Sequence, residues 1–231
     1  MIPEAYTYLA VDFCCLIFPL LCSFHPRLQF YRQWRHFAFP CAVTALFFLA
    51  WDSLFTHLGV WYFDPRYICG IYLGNMPLEE VLFFVCIPYA CVFSYFCFTR
   101  WQVLWAWQGG ARLFYAGLAI LLLIVGLLHL SLWYTSVTFI LLAVFLGWLC
   151  YRQVTYLGVF FFSFLFILLP FLWSNGTLTG SFYGRTVVHY NDDYNLGIRI
   201  LTIPVEDVFY GMLLLLLNVY GFERRRKRRD V

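Results

Sequence analysis

Apolar runs of about 17–22 residues recur from one end of the chain to the other, each long enough to cross the hydrocarbon core of a bilayer as a helix. They fall near residues 6–24, 37–55, 79–98, 113–132, 135–151, 156–173 and 205–221. Only Ser131 to Tyr134 separate the fourth run from the fifth. A mean hydropathy of +0.77 with 12% charged residues excludes an ordinary soluble protein. The first run follows "MIPEAYTYLAVDF", which has Glu4 and Asp12 where a secretory signal would carry a basic segment. The expectation is an all-α fold: a polytopic membrane helical bundle of about seven transmembrane helices, forming one membrane domain over residues 1–231.

Basic residues set the expected orientation. With an odd number of spans, one side of the membrane collects Arg27, Arg32, Arg35, Arg100, Arg112, Arg152 and the tail "ERRRKRR", and the other holds only Arg66, Arg185 and Arg199. This asymmetry places the C-terminus in the cytoplasm and the N-terminus outside, in a multi-pass protein of the cell membrane. Six spans would break it. The tail over 222–231, following directly on a span, reads as a topology anchor touching anionic lipid headgroups rather than as a nucleic-acid patch. The 9 cysteines lie almost entirely within the apolar runs and form no CxxC pair. They read as small hydrophobes, neither a disulfide framework nor a zinc site.

Against this apolar background stand two stretches, "GNMPLEEVLFF" at 74–84 and "LTIPVEDVFYG" at 201–211. Each places Pro-x-acid-acid immediately before an apolar run. The surroundings correspond as well: an aromatic and an Asp, then a Tyr, then a Gly, lead into both motifs, and upstream spans end in polar residues, Asp52 and Asn175. These parallels predict an internal repeat, with one copy over about 6–98, a connector helix over about 113–132, and a second copy over about 135–221. Spans three and seven then run in the same direction. Both motifs open a helix from the same, non-cytoplasmic face.

Proline suits the first helical turn, and acids there complement the helix dipole by about 0.3–1 kcal/mol. That accounts for one carboxylate per helix. Consecutive helical positions point about 100° apart, so Glu79 and Glu80 cannot both reach solvent from a packed helix, nor can Glu206 and Asp207. Ionisable groups inside a membrane mark function by default. Burial among like charges favours a protonated carboxyl and a helix N-terminus favours an ionised one, so an acid and a base can coexist in such a cluster. An acid of this kind can protonate an alkene if the cation formed is stabilised. Trp51, Trp61, Tyr62, Tyr67, Tyr183, Tyr190 and Tyr194 crowd the same end and offer cation-attracting ring faces, although most belong to an interfacial aromatic belt.

The PLEE and PVED pair, the Trp51–Asp52 dipeptide, the Asn175 region and the run "YNLGIRILTIPVEDVFYG" together resemble the membrane-integral lycopene cyclase family over essentially the whole chain. The resemblance implies a single-chain fused form of the two-subunit enzymes, without the phytoene synthase domain carried by fungal relatives. It also implies a bundle related to prenyltransferase-type membrane folds. The implied reaction is a cofactor-free, redox-neutral cyclisation of the ψ ends of lycopene, giving γ-carotene and then β-carotene, an isomerase or intramolecular lyase chemistry. A carboxylic acid protonates the terminal double bond, the cation closes a six-membered ring, and a base removes a ring proton. Glu79, Glu80, Glu206 and Asp207 are the expected acid–base set. Asp52 and Asn175 are expected auxiliary partners, and Trp51, Trp61 and Tyr194 expected substrate contacts. No metal site is expected, and no GxGxxG fingerprint of a flavin-type cyclase is present. The implied partners are lycopene or a related acyclic carotenoid, the lipid bilayer and other carotenoid-pathway enzymes, with no nucleic acid; the sequence does not define an oligomer.

Two other readings compete. A magnesium-dependent membrane prenyltransferase needs diphosphate-binding aspartate clusters with basic partners, whereas the acids here are adjacent and three basic residues share their face. A proton-coupled carrier can use intramembrane glutamates. A retinal protein needs a lysine in its last span, and the only lysine is Lys227 in the tail.

Overall fold

A computed structural model of the chain describes residues 3–101 and 107–227. Among the described residues, seven helices are long and apolar enough to cross a membrane. They are α1 (Thr7–Cys22), α2 (Trp34–His57), α3 (Leu78–Phe98), α4 (Gln108–Leu128), α5 (Trp133–Tyr151), α6 (Leu157–Leu178) and α7 (Val205–Lys227). The second expected span is longer than the apolar run suggested, because a 3₁₀ turn at Phe30–Gln33 leads straight into α2. The seventh helix runs beyond its expected span. Arg224 to Lys227 form the last turn of α7, where positive charge complements the helix dipole. Arg228, Arg229 and Asp230 lie outside the described residues.

Six of the helices pack around a shared core, and α4 lies against α5 and α6 at the side. Gly126 of α4 permits that approach, since a Cβ there would meet Ile140 Cγ1 at 2.9 Å. The outward faces carry large apolar residues such as Phe13, Leu46, Leu113 and Leu169, as a lipid solvent requires.

At one end of the bundle lie the starts of α1, α3, α5 and α7 and the ends of α2, α4 and α6. The connecting loops there hold six short strands that hydropathy did not foreshadow. Strand β1 (Trp61–Phe63) pairs antiparallel with β4 (Val188–Tyr190), while β2 (Tyr72–Leu73) pairs with β3 (Met76–Pro77) and β5 (Arg199–Ile200) with β6 (Ile203–Pro204). The β1–β4 ribbon joins the two halves of the chain. Its register is Trp61 to Tyr190, Tyr62 to His189 and Phe63 to Val188. Residues 127 apart, the spacing of Glu79 and Glu206, exchange places across it, so the ribbon is its own mirror under a two-fold turn. Tyr62 and His189, at its centre, stack with ring centroids 4.7 Å apart.

At the opposite end α7 and α2 make the closest approach, where a Cβ on Gly221 would meet Pro40 Cβ at 2.5 Å. Alanine gains about 1 kcal/mol over glycine in helix propensity, but overpacking costs about 1–3 kcal/mol. Gly221→Ala is therefore expected to lower the thermal unfolding temperature of the detergent-extracted protein. Gly117→Ala on α4, with nothing within 4 Å of the added carbon, should hold or raise it.

Candidate functional site

Each acidic motif is delivered by the same local construction. Asp64 and Asn191 cap 3₁₀ turns, Pro65–Tyr67 and Asp192–Tyr194, by accepting the N–H of Arg66 at 2.9 Å and of Asp193 at 3.0 Å. A tight hairpin follows, turning through left-handed backbone at Gly74 (φ 67°) in one copy and Leu201 (φ 59°) in the other. The N–H of Leu78 bonds the carbonyl of Ile71 at 2.9 Å, and that of Val205 bonds Ile198 at 2.9 Å. Hairpin tips are tied back to the preceding helix or the loop just after it, Asn75 to Ser53 (2.6 and 2.8 Å) and Thr202 to Thr179 and Ser181 (2.7 and 2.5 Å). Outside the spans, Arg66 lies 2.7 Å from Asp64 and holds its carboxyl below the usual range. Asp192 is held low in the same way, by Asn195 and Arg199. Both are loop-structuring acids.

The two acids of each motif then part company. Glu79 is fully buried and accepts the backbone N–H of Cys69 at 2.6 Å. Glu206, equally buried, accepts the N–H of Leu196 at 2.8 Å and the Thr135 hydroxyl at 2.5 Å. Both contacts reach ten residues back along the chain, so the first glutamate of each motif pins its own loop. In both, Oε2 has no partner. The second acids face elsewhere. Glu80 accepts the hydroxyl of Tyr8, and Asp52, also buried, has its Oδ2 without a hydrogen-bond partner. Asp207 accepts from Tyr134 and, at 2.8 Å, from Tyr190.

Glu80, Asp52 and Asp207 line one cavity of about 810 Å³, whose other walls are overwhelmingly apolar. Around the three acids stand Trp61, Tyr134, Tyr190 and Tyr210. The Tyr134 ring lies 5.1 Å from Trp61, 6.0 Å from Tyr190 and 6.2 Å from Tyr210, centroid to centroid. Trp61 and Tyr190 come from the β1–β4 ribbon, which roofs this end of the cavity. Such an arrangement holds protons next to a dry apolar space lined with ring faces. Among the described residues, no group of three or more His, Cys, Asp or Glu side chains is arranged to hold a metal ion.

Of the residues singled out from sequence, the structure brings Glu80, Asp207, Asp52, Trp61 and Asn175 to the cavity. Glu79 and Glu206 stand behind it. Trp51 is a core residue packed on Phe48 and Tyr210, with no place in the cavity wall. Tyr194 lies against Trp133 at 5.5 Å and is likewise away from the cavity. Sequence reasoning missed Tyr8 and Tyr134 in the first turns of their helices and Tyr210 in the second turn of α7, which look like interfacial aromatics until their surroundings are known. It also passed over Asp12, buried one turn after Tyr8 with both oxygens unpartnered.

A glutamine at 79 or 206 retains an oxygen for the loop N–H, and an alanine strands that donor in the interior. Glu79→Ala and Glu206→Ala are each expected to cost about 1–3 kcal/mol, read as thermal unfolding in detergent. Glu79→Gln and Glu206→Gln should stay near the native value.

Comparison with known proteins gives a consistent result. A region of 72 residues, 31% of this chain, is 29% identical to a bifunctional lycopene cyclase/phytoene synthase of Aspergillus oryzae (strain ATCC 42149 / RIB 40). The match covers 12% of that protein's length. No solved structure matches the chain. The sequence model of the lycopene cyclase family matches residues 5–98 and again 131–224, taking in both acidic motifs, both loops and six of the seven helices. By that double match, over most of its length, the chain belongs to the lycopene cyclase family.

Proposed function

We propose that the protein closes the ψ ends of lycopene to β rings, giving γ-carotene and then β-carotene, by a redox-neutral isomerisation that uses no cofactor. The observation that carries this reading is the grouping of Glu80, Asp52 and Asp207 among aromatic rings at the roofed end of an otherwise apolar cavity. Carboxyls buried together on one apolar cavity wall favour a retained proton, so the Glu80–Asp52 pair is cast as the acid that protonates the terminal double bond. The cation then closes on the next double bond while the faces of Trp61, Tyr134, Tyr190 and Tyr210 stabilise it. Asp207, which accepts from two phenols in this geometry, is cast as the base that takes the ring proton. One proton enters and one leaves, so the ring forms without oxidant or reductant. Exclusion of water by the ribbon protects the cation from capture as an alcohol.

In this reading Glu79 and Glu206 shape the site and do not react. The reading further includes a duplication of the three-helix unit, joined by α4, with the site on the outer side of the cell membrane and the C-terminus in the cytoplasm. It is supported by the family membership and by the common spacing of the two loops.

Expression in cells that accumulate lycopene, with product analysis by chromatography, tests the proposal. Native protein should yield cyclic carotenoids. Glu80→Gln and Asp207→Asn should each reduce ring formation by roughly 100- to 10,000-fold while membrane levels persist, and Glu79→Gln should lose far less. In D2O each ring should acquire one solvent deuterium. Unchanged lycopene beside folded native protein would overturn the cyclase reading in favour of a carrier, and abolition by EDTA would favour metal-dependent prenyl chemistry.

A further inference from the structure

The cavity does not stop below the carboxyls. It follows α3 from Glu80 down to Phe98 and on to Trp101. Eighteen helical steps correspond to about 27 Å, close to the bilayer core thickness of about 30 Å. Among the described residues, Asp52, Glu80 and Asp207 are its only charged lining residues, all at one end. Along the rest of its length the wall is hydrocarbon, aromatic ring or thiol, with Ser94 as an isolated polar point, while Ser174 and Asn175, near the end of α6, lie toward the carboxyls.

The cavity is also open sideways. Phe18 of α1 and Leu169 of α6 line it, yet they are 69% and 68% exposed on the outside of the bundle. Phe166 of α6 and Cys14 of α1 share this double position. Residues that line an interior space and face the lipid at once mark a mouth. Proline accompanies it on every side: Pro19 in α1, Pro88 in α3 and Pro170 in α6 all border the cavity. Each removes one bond from its helical ladder, so the three helices bordering the mouth are locally less constrained there.

We propose that the cleft between α1 and α6 is a lateral portal, through which a rod-shaped polyene passes from the bilayer core into the cavity. It lies along α3 with one end among the carboxyls. The occupant is committed by the length, the apolar walls and the single polar end; the proposal rests on the cyclase reading for the identity of the polyene as an acyclic carotenoid. An apolar substrate dissolved in the membrane then reaches the acid without crossing the ribbon or meeting water.

The test narrows and widens the mouth in full-length protein reconstituted in lycopene-loaded vesicles. The Phe18→Trp/Leu169→Trp double variant is expected to lower kcat/KM for lycopene at least tenfold. Phe18→Ala/Leu169→Ala should keep or exceed the native value. Leu113→Trp, at a 78% exposed position on the side helix α4, should equal native. Both mouth positions face lipid, so folding is expected to survive, and thermal unfolding verifies it. Native turnover by the double tryptophan variant overturns the portal and leaves the cyclase reading standing. Equal losses in the tryptophan and alanine variants overturn it too, since the side chains would then serve only the fold. Absence of lycopene turnover in the native chain overturns both.

Discussion

A carboxyl group taken into a membrane protein must find donors within the protein, because lipid supplies none. Glu79 and Glu206 meet that demand with a backbone N–H from ten residues upstream. The contact fixes more than the glutamate. It draws the loop back over the helix start, sets the hairpin that follows, and so determines which way the next residue points. With the first acid turned to the loop, the second, about 100° further round the helix, faces the cavity. Adjacent acids thereby acquire separate duties from helical geometry alone.

The two halves of the chain contribute to one site. The first brings Tyr8, Asp52, Trp61 and Glu80, and the second brings Tyr134, Tyr190, Asp207 and Tyr210. Their loops meet through three-residue strands, whose register places Trp61 opposite Tyr190 and turns both toward the carboxyls. The partners of the acids differ between the copies. Tyr8 serves Glu80, yet the residue 127 positions on is Thr135, which serves Glu206, and the phenol for Asp207 comes from the neighbouring Tyr134.

Much of this is legible in the amino-acid sequence. The spans were marked by hydropathy, and the matched PLEE and PVED motifs marked the acidic end, because both signals are local in the chain. The short strands were not legible: two or three residues carry no readable alternation, and β1 finds its partner over a hundred residues away. Nor could the roles of Glu79 and Glu80 be separated from sequence, since the donor that distinguishes them is a backbone N–H. Trp51 and Tyr194 were drawn to the site by their chemistry, but packing against Phe48 and Trp133 places them elsewhere. Tyr8 and Tyr134 were hidden for the opposite reason, as aromatic residues at a membrane interface need no further explanation.

Gly221, pressed against Pro40, has Ser94 as its counterpart 127 residues earlier, and Ser94 borders the cavity. At the one place α7 touches α2 of the other half of the chain; at the other, α3 borders open space. Both halves line the cavity, so a change on the inward face of either alters the shape offered to a guest. A change at the α2–α7 contact alters only how firmly the two halves brace each other. Tolerance to substitution should therefore follow the helix faces rather than the motifs.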